Sequence, residues 1–134
     1  MADKFFGVVV PFLKLLGVRG ERFDRGQTTV LLETRTELTN HFGSLHGGAL
    51  ATLVDVAMAS AARSLHAEEG VVTVSMTINY LRSATGQLCA SGRVRQAGRS
   101  LVFCDSEVHD EAGHLVATAS GTFKVRRQQP TGDA

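Results

Sequence analysis

The chain has 134 residues with 14 basic and 13 acidic side chains, enough for one domain with its own core, and its net charge of +1 leaves no footprint for nucleic acid. Hydrophobic residues make up 43% and charged residues 20%, the balance of an ordinary globular protein, and no apolar run is long enough to cross a bilayer. Two cysteines without metal-ligand spacing, Cys89 and Cys104, point to reduced thiols and a cytoplasmic setting.

The first apolar stretch, Phe5 to Val10, carries little positive charge before it and is interrupted by Pro11 and Lys14, so it makes a poor signal peptide. Pro11 and Gly17 mark a short N-terminal helix, about residues 3–17, with Phe12, Leu15 and Leu16 on one side. Gly20 to Gly26 is polar and reads as turn. From Gln27 to Leu38, Val30 and Leu32 alternate with Glu33, Arg35 and Glu37, which predicts a first strand with one wet face.

Residues 40–66 form a glycine-rich loop feeding one long helix. From Gly47 to Ala62 the one formally charged side chain is Asp55, and a helix apolar almost all round belongs in a core. Leu50, Leu53, Val54, Ala57, Ala61 and Leu65 make the buried stripe, while Asp55 lies on a flank with Ala51, Ala59 and Ala62. A carboxylate there needs a partner or a cleft, which makes Asp55 the strongest candidate for chemistry. Ser44 is placed to cap the helix. His46-Gly47-Gly48 opens it, where unpaired N–H groups favour a polarised carbonyl and the glycines allow close approach. The two features lie about 12 Å apart along the axis, too far to grip one small group, so a shared site requires a second chain.

Val71 to Leu81 has a period of two, with Val72, Val74, Met76, Ile78 and Tyr80 on one face and Thr73, Ser75, Thr77 and Asn79 on the other. Leu88 to Gln96, Leu101 to His109 and Leu115 to Val125 follow as strands joined by tight turns, and about 126–134 reads as a polar tail. The result is a single α+β domain over residues 1–134, an antiparallel sheet curled over one helix.

Other motifs are weaker. The glycine pair lacks the Lys-Ser/Thr of a phosphate-binding loop, and no G-x-S-x-G elbow accompanies His46-Gly47-Gly48. His41 and His46 do not have helical metal-ligand spacing, so no metal site is expected. Asn40 and Gly43 read singly as turn residues, His46 as ligand, base or loop anchor, and Arg93 and Arg95 as a solvated edge or a phosphate clamp.

Taken together, Asn40-x-x-Gly43-x-x-His46-Gly47-Gly48, then Asp55, then Thr73, resemble the acyl-CoA thioesterases of the hotdog fold, nearest to the phenylacetate-degradation type, over about Pro11 to Val125. The resemblance implies a curved antiparallel sheet around a central helix, in dimers that associate further into tetramers, with each site drawing its loop from one chain and its carboxylate from the other. It implies Asp55 as general base or, alternatively, nucleophile, the Gly47 N–H as donor to the carbonyl oxygen, and Asn40 and His46 as positioning groups. Thr73 stands where the family often has serine. Gly48, Ser75 and Tyr80 would line the substrate path, and Arg95, Gly98, Arg99, Ser100 and Arg126 would meet the coenzyme A nucleotide. Coenzyme A would be part of substrate and product, with no metal or redox cofactor and no membrane or nucleic-acid partner. Two alternatives stay open: a hydratase or dehydratase on acyl-CoA, and a non-catalytic acyl-CoA-binding module.

Overall fold

An alanine-rich stretch with neither proline nor internal glycine favours helix, and in the computed structural model, which describes residues 4–127, Gly47–Arg63 forms helix α2. It is preceded by α1 (Pro11–Leu16), β1 (Arg19–Asp24), β2 (Gln27–Glu33) and a 3₁₀ turn (Thr36–Leu38). It is followed by β3 (Val71–Tyr80), β4 (Gln87–Ala97), β5 (Leu101–His109) and β6 (Leu115–Val125). The six strands form one antiparallel sheet in the order β1-β2-β4-β5-β6-β3. This is the α+β architecture expected.

One face of α2 is pressed into the sheet. Leu53, Val54, Ala57, Met58 and Ala62 are wholly buried against a floor that includes Val30, Leu32, Leu88, Val102, Val108 and Phe123, and each large apolar side chain so buried contributes about 1.5–3 kcal/mol. Close approach is made possible by Gly92, where a Cβ would lie 2.0 Å from the Ala57 carbonyl oxygen. Thr28 Oγ1 donates to that same oxygen at 2.6 Å. The helix is thereby pinned in height and rotation over β2 and β4, and with it the direction in which Asp55 points.

Four expectations need correction. Arg19–Asp24 is an edge strand and not part of a turn; all six of its residues are exposed, so no alternation marks it, and the turn proper is confined to the Asp24–Gln27 connection, with Gly26 at φ +72°. The second strand stops at Glu33, because Thr34 turns away with both its N–H and its hydroxyl on the Gly86 carbonyl. The N-terminal helix is confined to Pro11–Leu16, after an isolated bridge between Phe5 and Val8, and its buried pair is Leu13 and Leu16, while Phe12 and Leu15 face outward. The tail does not begin at Arg126: its N–H bonds the Gly70 carbonyl and Arg127 bonds Glu69, while residues 1–3 and 128–134 lie outside the described residues.

Candidate active site

Asp55 is half-buried on the flank of α2 beside β3, and Thr73 Oγ1 donates a 2.7 Å hydrogen bond to its Oδ1. Simple alternation would aim Thr73 away from the helix. The register shows why it does not: Thr73 opposes Phe123 but Ser75 opposes Thr122, so Val74 is an extra residue. The bulge reverses the parity of the strand. Val71 and Thr73 therefore share the helix-facing side with Met76, Ile78 and Tyr80, and Val72 shares the outer side with Ser75 and Thr77, a correction to the uniform two-residue pattern.

The loop before α2 is held from within. Asn40 Oδ1 accepts the N–H groups of Phe42 at 2.9 Å and Ser44 at 3.2 Å, and Gly43 takes φ +84° to close the turn. Leu45 and His46 donate their N–H groups to the carbonyls of Ala84 and Leu38. The N-cap is His46 and not Ser44, because the helix begins at Gly47, directly after His46, and Ser44 lies too early in the loop to reach its first N–H groups. Nδ1 of His46 accepts the Gly48 N–H at 2.8 Å, and a Cβ at Gly48 would lie 3.1 Å from that nitrogen, so the second glycine makes room for the cap. The N–H groups of Ala49 and Leu50 bond the His46 carbonyl. Gly47 is left at the helix start with an N–H that has no acceptor among the described residues. Its carbonyl accepts from Tyr80 Oη at 3.0 Å.

Gly47, Asn40 and Tyr80 border a cavity of about 330 Å³ at this end of the helix. The carboxylate and the free donor thus lie at opposite ends of β3, with Asp55 beside Thr73 and Gly47 beside Tyr80. β3 is one of the sheet's two edges, with one ladder partner and a bare row of backbone groups, and its Val72 and Val74 are 48% and 57% exposed.

The remaining predicted residues divide into two groups. Ser75 lies on the outer face of the sheet, in a shallow hollow with Arg95, Phe103 and Asp105, remote from Asp55 in the same chain. Arg95 Nε and Arg93 Nε each approach an oxygen of Asp105 at 3.5 Å, so neither cation is unpaired. Gly98, Arg99 and Ser100 make the β4–β5 turn, closed by the Gly98 N–H on the Leu101 carbonyl and tied to β6 by the Val125 N–H on the Ser100 carbonyl. Arg99 and Arg126 have no ion-pair partner among the described residues. A feature sequence reasoning missed holds that corner together: Arg127 bonds Glu69 Oε2 at 2.6 Å and also the Arg99 carbonyl, joining residues 58 apart that no local pattern links.

With this geometry in hand, comparison with known proteins is informative. The family model described as the thioesterase superfamily matches residues 42–117, from within the loop through α2, β3, β4 and β5 to the start of β6. A Saccharolobus solfataricus protein provisionally named an esterase is 32% identical, with 84% of this chain and 76% of that protein covered. The solved structure of the Escherichia coli PaaI protein from the phenylacetic acid degradation operon superposes with a TM-score of 0.82 at 28% identity, covering 91% of this chain and 87% of that one. The E. coli protein named medium/long-chain acyl-CoA thioesterase YigI is 22% identical, with 93% and 92% covered. The fold is the hotdog fold, and the chain belongs to the thioesterase superfamily.

Proposed function

We propose that this protein hydrolyses acyl-CoA thioesters to a carboxylic acid and free coenzyme A, in a site that two copies complete by pairing through β3. The observation that carries the proposal is the placement of the two half-sites at the two ends of one exposed edge strand. Antiparallel pairing about a point between Met76 and Thr77 sets Thr73 of one copy opposite Tyr80 of the other. The carboxylate of one copy then meets the free donor of its mate.

In that setting Asp55 keeps Oδ1 on the Thr73 hydroxyl and takes a proton from water on Oδ2. The water oxygen adds to the thioester carbon, and the carbonyl oxygen gains negative charge against the Gly47 N–H, an interaction worth a few kcal/mol in the transition state. Collapse of the adduct expels the coenzyme A thiolate, which recovers a proton, and leaves the acid. Asn40, whose oxygen is committed to the loop, keeps its amide nitrogen for the thioester or the water. His46 acts through the loop as the cap that occupies the Gly48 N–H. Arg99 and Arg126, two of the cations at the Asp55 end of the strand without an ion pair among the described residues, receive the nucleotide phosphates. The name of YigI and the family match support thioester chemistry, and the cytoplasm is where acyl-CoA would be met. No described helix is long and apolar enough to cross a membrane.

The test is thiol release from acyl-CoA by wild type and Asp55→Asn. Loss of a general base lowers turnover by roughly 100-fold or more, with the melting temperature unchanged. Near-wild-type turnover in Asp55→Asn overturns the proposal.

A further inference from the structure

Resting on that reading, we infer that Tyr80 is the positioning residue of the carbonyl-polarising donor, and that its hydroxyl acts through the Gly47 backbone and not on the substrate itself.

Gly47 joins two peptide planes, and the direction of its N–H depends on both, because a glycine has no side chain to restrict its own dihedrals. The plane before it carries the free N–H, and the His46 carbonyl of that plane accepts the N–H groups of Ala49 at 3.0 Å and Leu50 at 3.1 Å. The plane after it is held at both ends. Its oxygen, that of Gly47, accepts from Tyr80 Oη at 3.0 Å, and its N–H, that of Gly48, donates to His46 Nδ1 at 2.8 Å. His46 belongs to the loop and moves with it, whereas Tyr80 belongs to β3, where it is paired with Ala117 of β6. Tyr80 therefore ties the glycine pair at the helix start to the sheet. A phenol has a single proton to donate, and the Gly47 oxygen takes it, so the same hydroxyl does not polarise the thioester carbonyl.

β3 treats the carboxylate in the same way. Thr73 Oγ1 holds Asp55, Tyr80 Oη holds Gly47, and the extra residue Val74 is what brings both side chains to the helix-facing side. One strand thus carries a positioning hydroxyl for each half of the chemistry. Pairing that sets Tyr80 of one copy opposite Thr73 of the other brings the two hydroxyls to one site.

Tyr80→Phe keeps the ring of a residue that is 54% exposed and removes only the bond, so the fold is expected to survive. On a panel of aliphatic and aromatic acyl-CoAs it should lower kcat about tenfold, a part of the ~100-fold that outright loss of such a donor costs, by the same factor for every ester and with KM within about twofold of wild type. The infrared carbonyl band supplies a readout that a purely structural contact would not move. In Asp55→Asn the bound thioester survives long enough to be measured, and its carbonyl stretch should fall on binding as the Gly47 N–H polarises it. With Tyr80→Phe added, that fall should shrink. An unchanged kcat, a loss carried in KM or graded by acyl group, or a carbonyl band identical in the two backgrounds overturns the positioning role. If wild type cleaves no thioester, the hydrolase reading itself fails and this inference falls with it.

Discussion

Thr73 Oγ1 and Asp55 Oδ1 are 2.7 Å apart because one extra residue, Val74, turns the first residues of β3 toward the helix. The bond fixes one carboxylate oxygen and leaves the other without a hydrogen-bond partner among the described residues. Thr73→Ser keeps the donor and is expected to retain activity, while Thr73→Val removes it and lowers kcat roughly tenfold, as for a hydrogen bond to a charged group. KM is expected to hold in both, and steady-state kinetics checks the split. Equal activity in Ser and Val variants would show that the hydroxyl does not support the carboxylate.

His46 spends Nδ1 on the Gly48 N–H, so its first role is that of a helix cap. His46→Ala should cost about 1 kcal/mol of stability in urea unfolding, with a moderate fall in turnover as the loop loosens. Gly47→Ala meets only ordinary contact with the Tyr80 ring, at 3.6 Å, so its stability is expected to hold while its methyl crowds the bound carbonyl and lowers turnover. If His46→Ala keeps full stability yet loses ~100-fold or more in kcat, proton transfer and not capping is its role.

Arg95 and Arg99 separate by their partners. Arg95 is paired with Asp105, whereas Arg99 has no ion pair among the described residues. Arg99→Ala should raise KM for acyl-CoA about tenfold while sparing short thioesters that lack the nucleotide. Arg95→Ala should leave both nearly unchanged. The opposite ranking would move the nucleotide onto the outer face of the sheet.

Burial, and secondarily the nearby Asp105 charge, pushes the Cys104 thiol from 9.0 up to about 12. Below pH 9.0 the thiol is protonated in both folded and unfolded chains and costs nothing. From there to about 12 the unfolded chain ionises first, so this group's contribution to stability is lost as pH rises through that window. Cys104→Ala should be less stable at neutral pH, from the cavity it leaves, but its stability should decline less steeply above pH 9.0 in denaturant titrations. An identical slope in both proteins would place the alkaline loss elsewhere.

The parts of this molecule legible in its sequence are those whose physics is local. An apolar helix with one carboxylate announces both the core and the candidate site, and Asn40, Gly43, His46 and Gly47 sit in one short loop whose turn chemistry can be read directly. What escaped depends on distant partners. β1 has no buried face, so it carries no periodic signal. The bulge at Val74 hides inside perfect alternation, because an extra residue alters the faces without altering the composition. The cap falls on His46 and not Ser44 because the helix begins at Gly47, a boundary set by the bonds of Leu45 and His46 to Ala84 and Leu38, which exist only once the loop has closed.

The central claim, that one site is built from two copies, is tested most directly by complementation. Asp55→Asn and Gly47→Val are each made as pure proteins, then unfolded together in equal amounts and refolded. In a mixed pair one site carries both substitutions and the other carries neither, so random pairing should restore about a quarter of wild-type thiol release. Activity no greater than the average of the two pure variants would contradict the shared site.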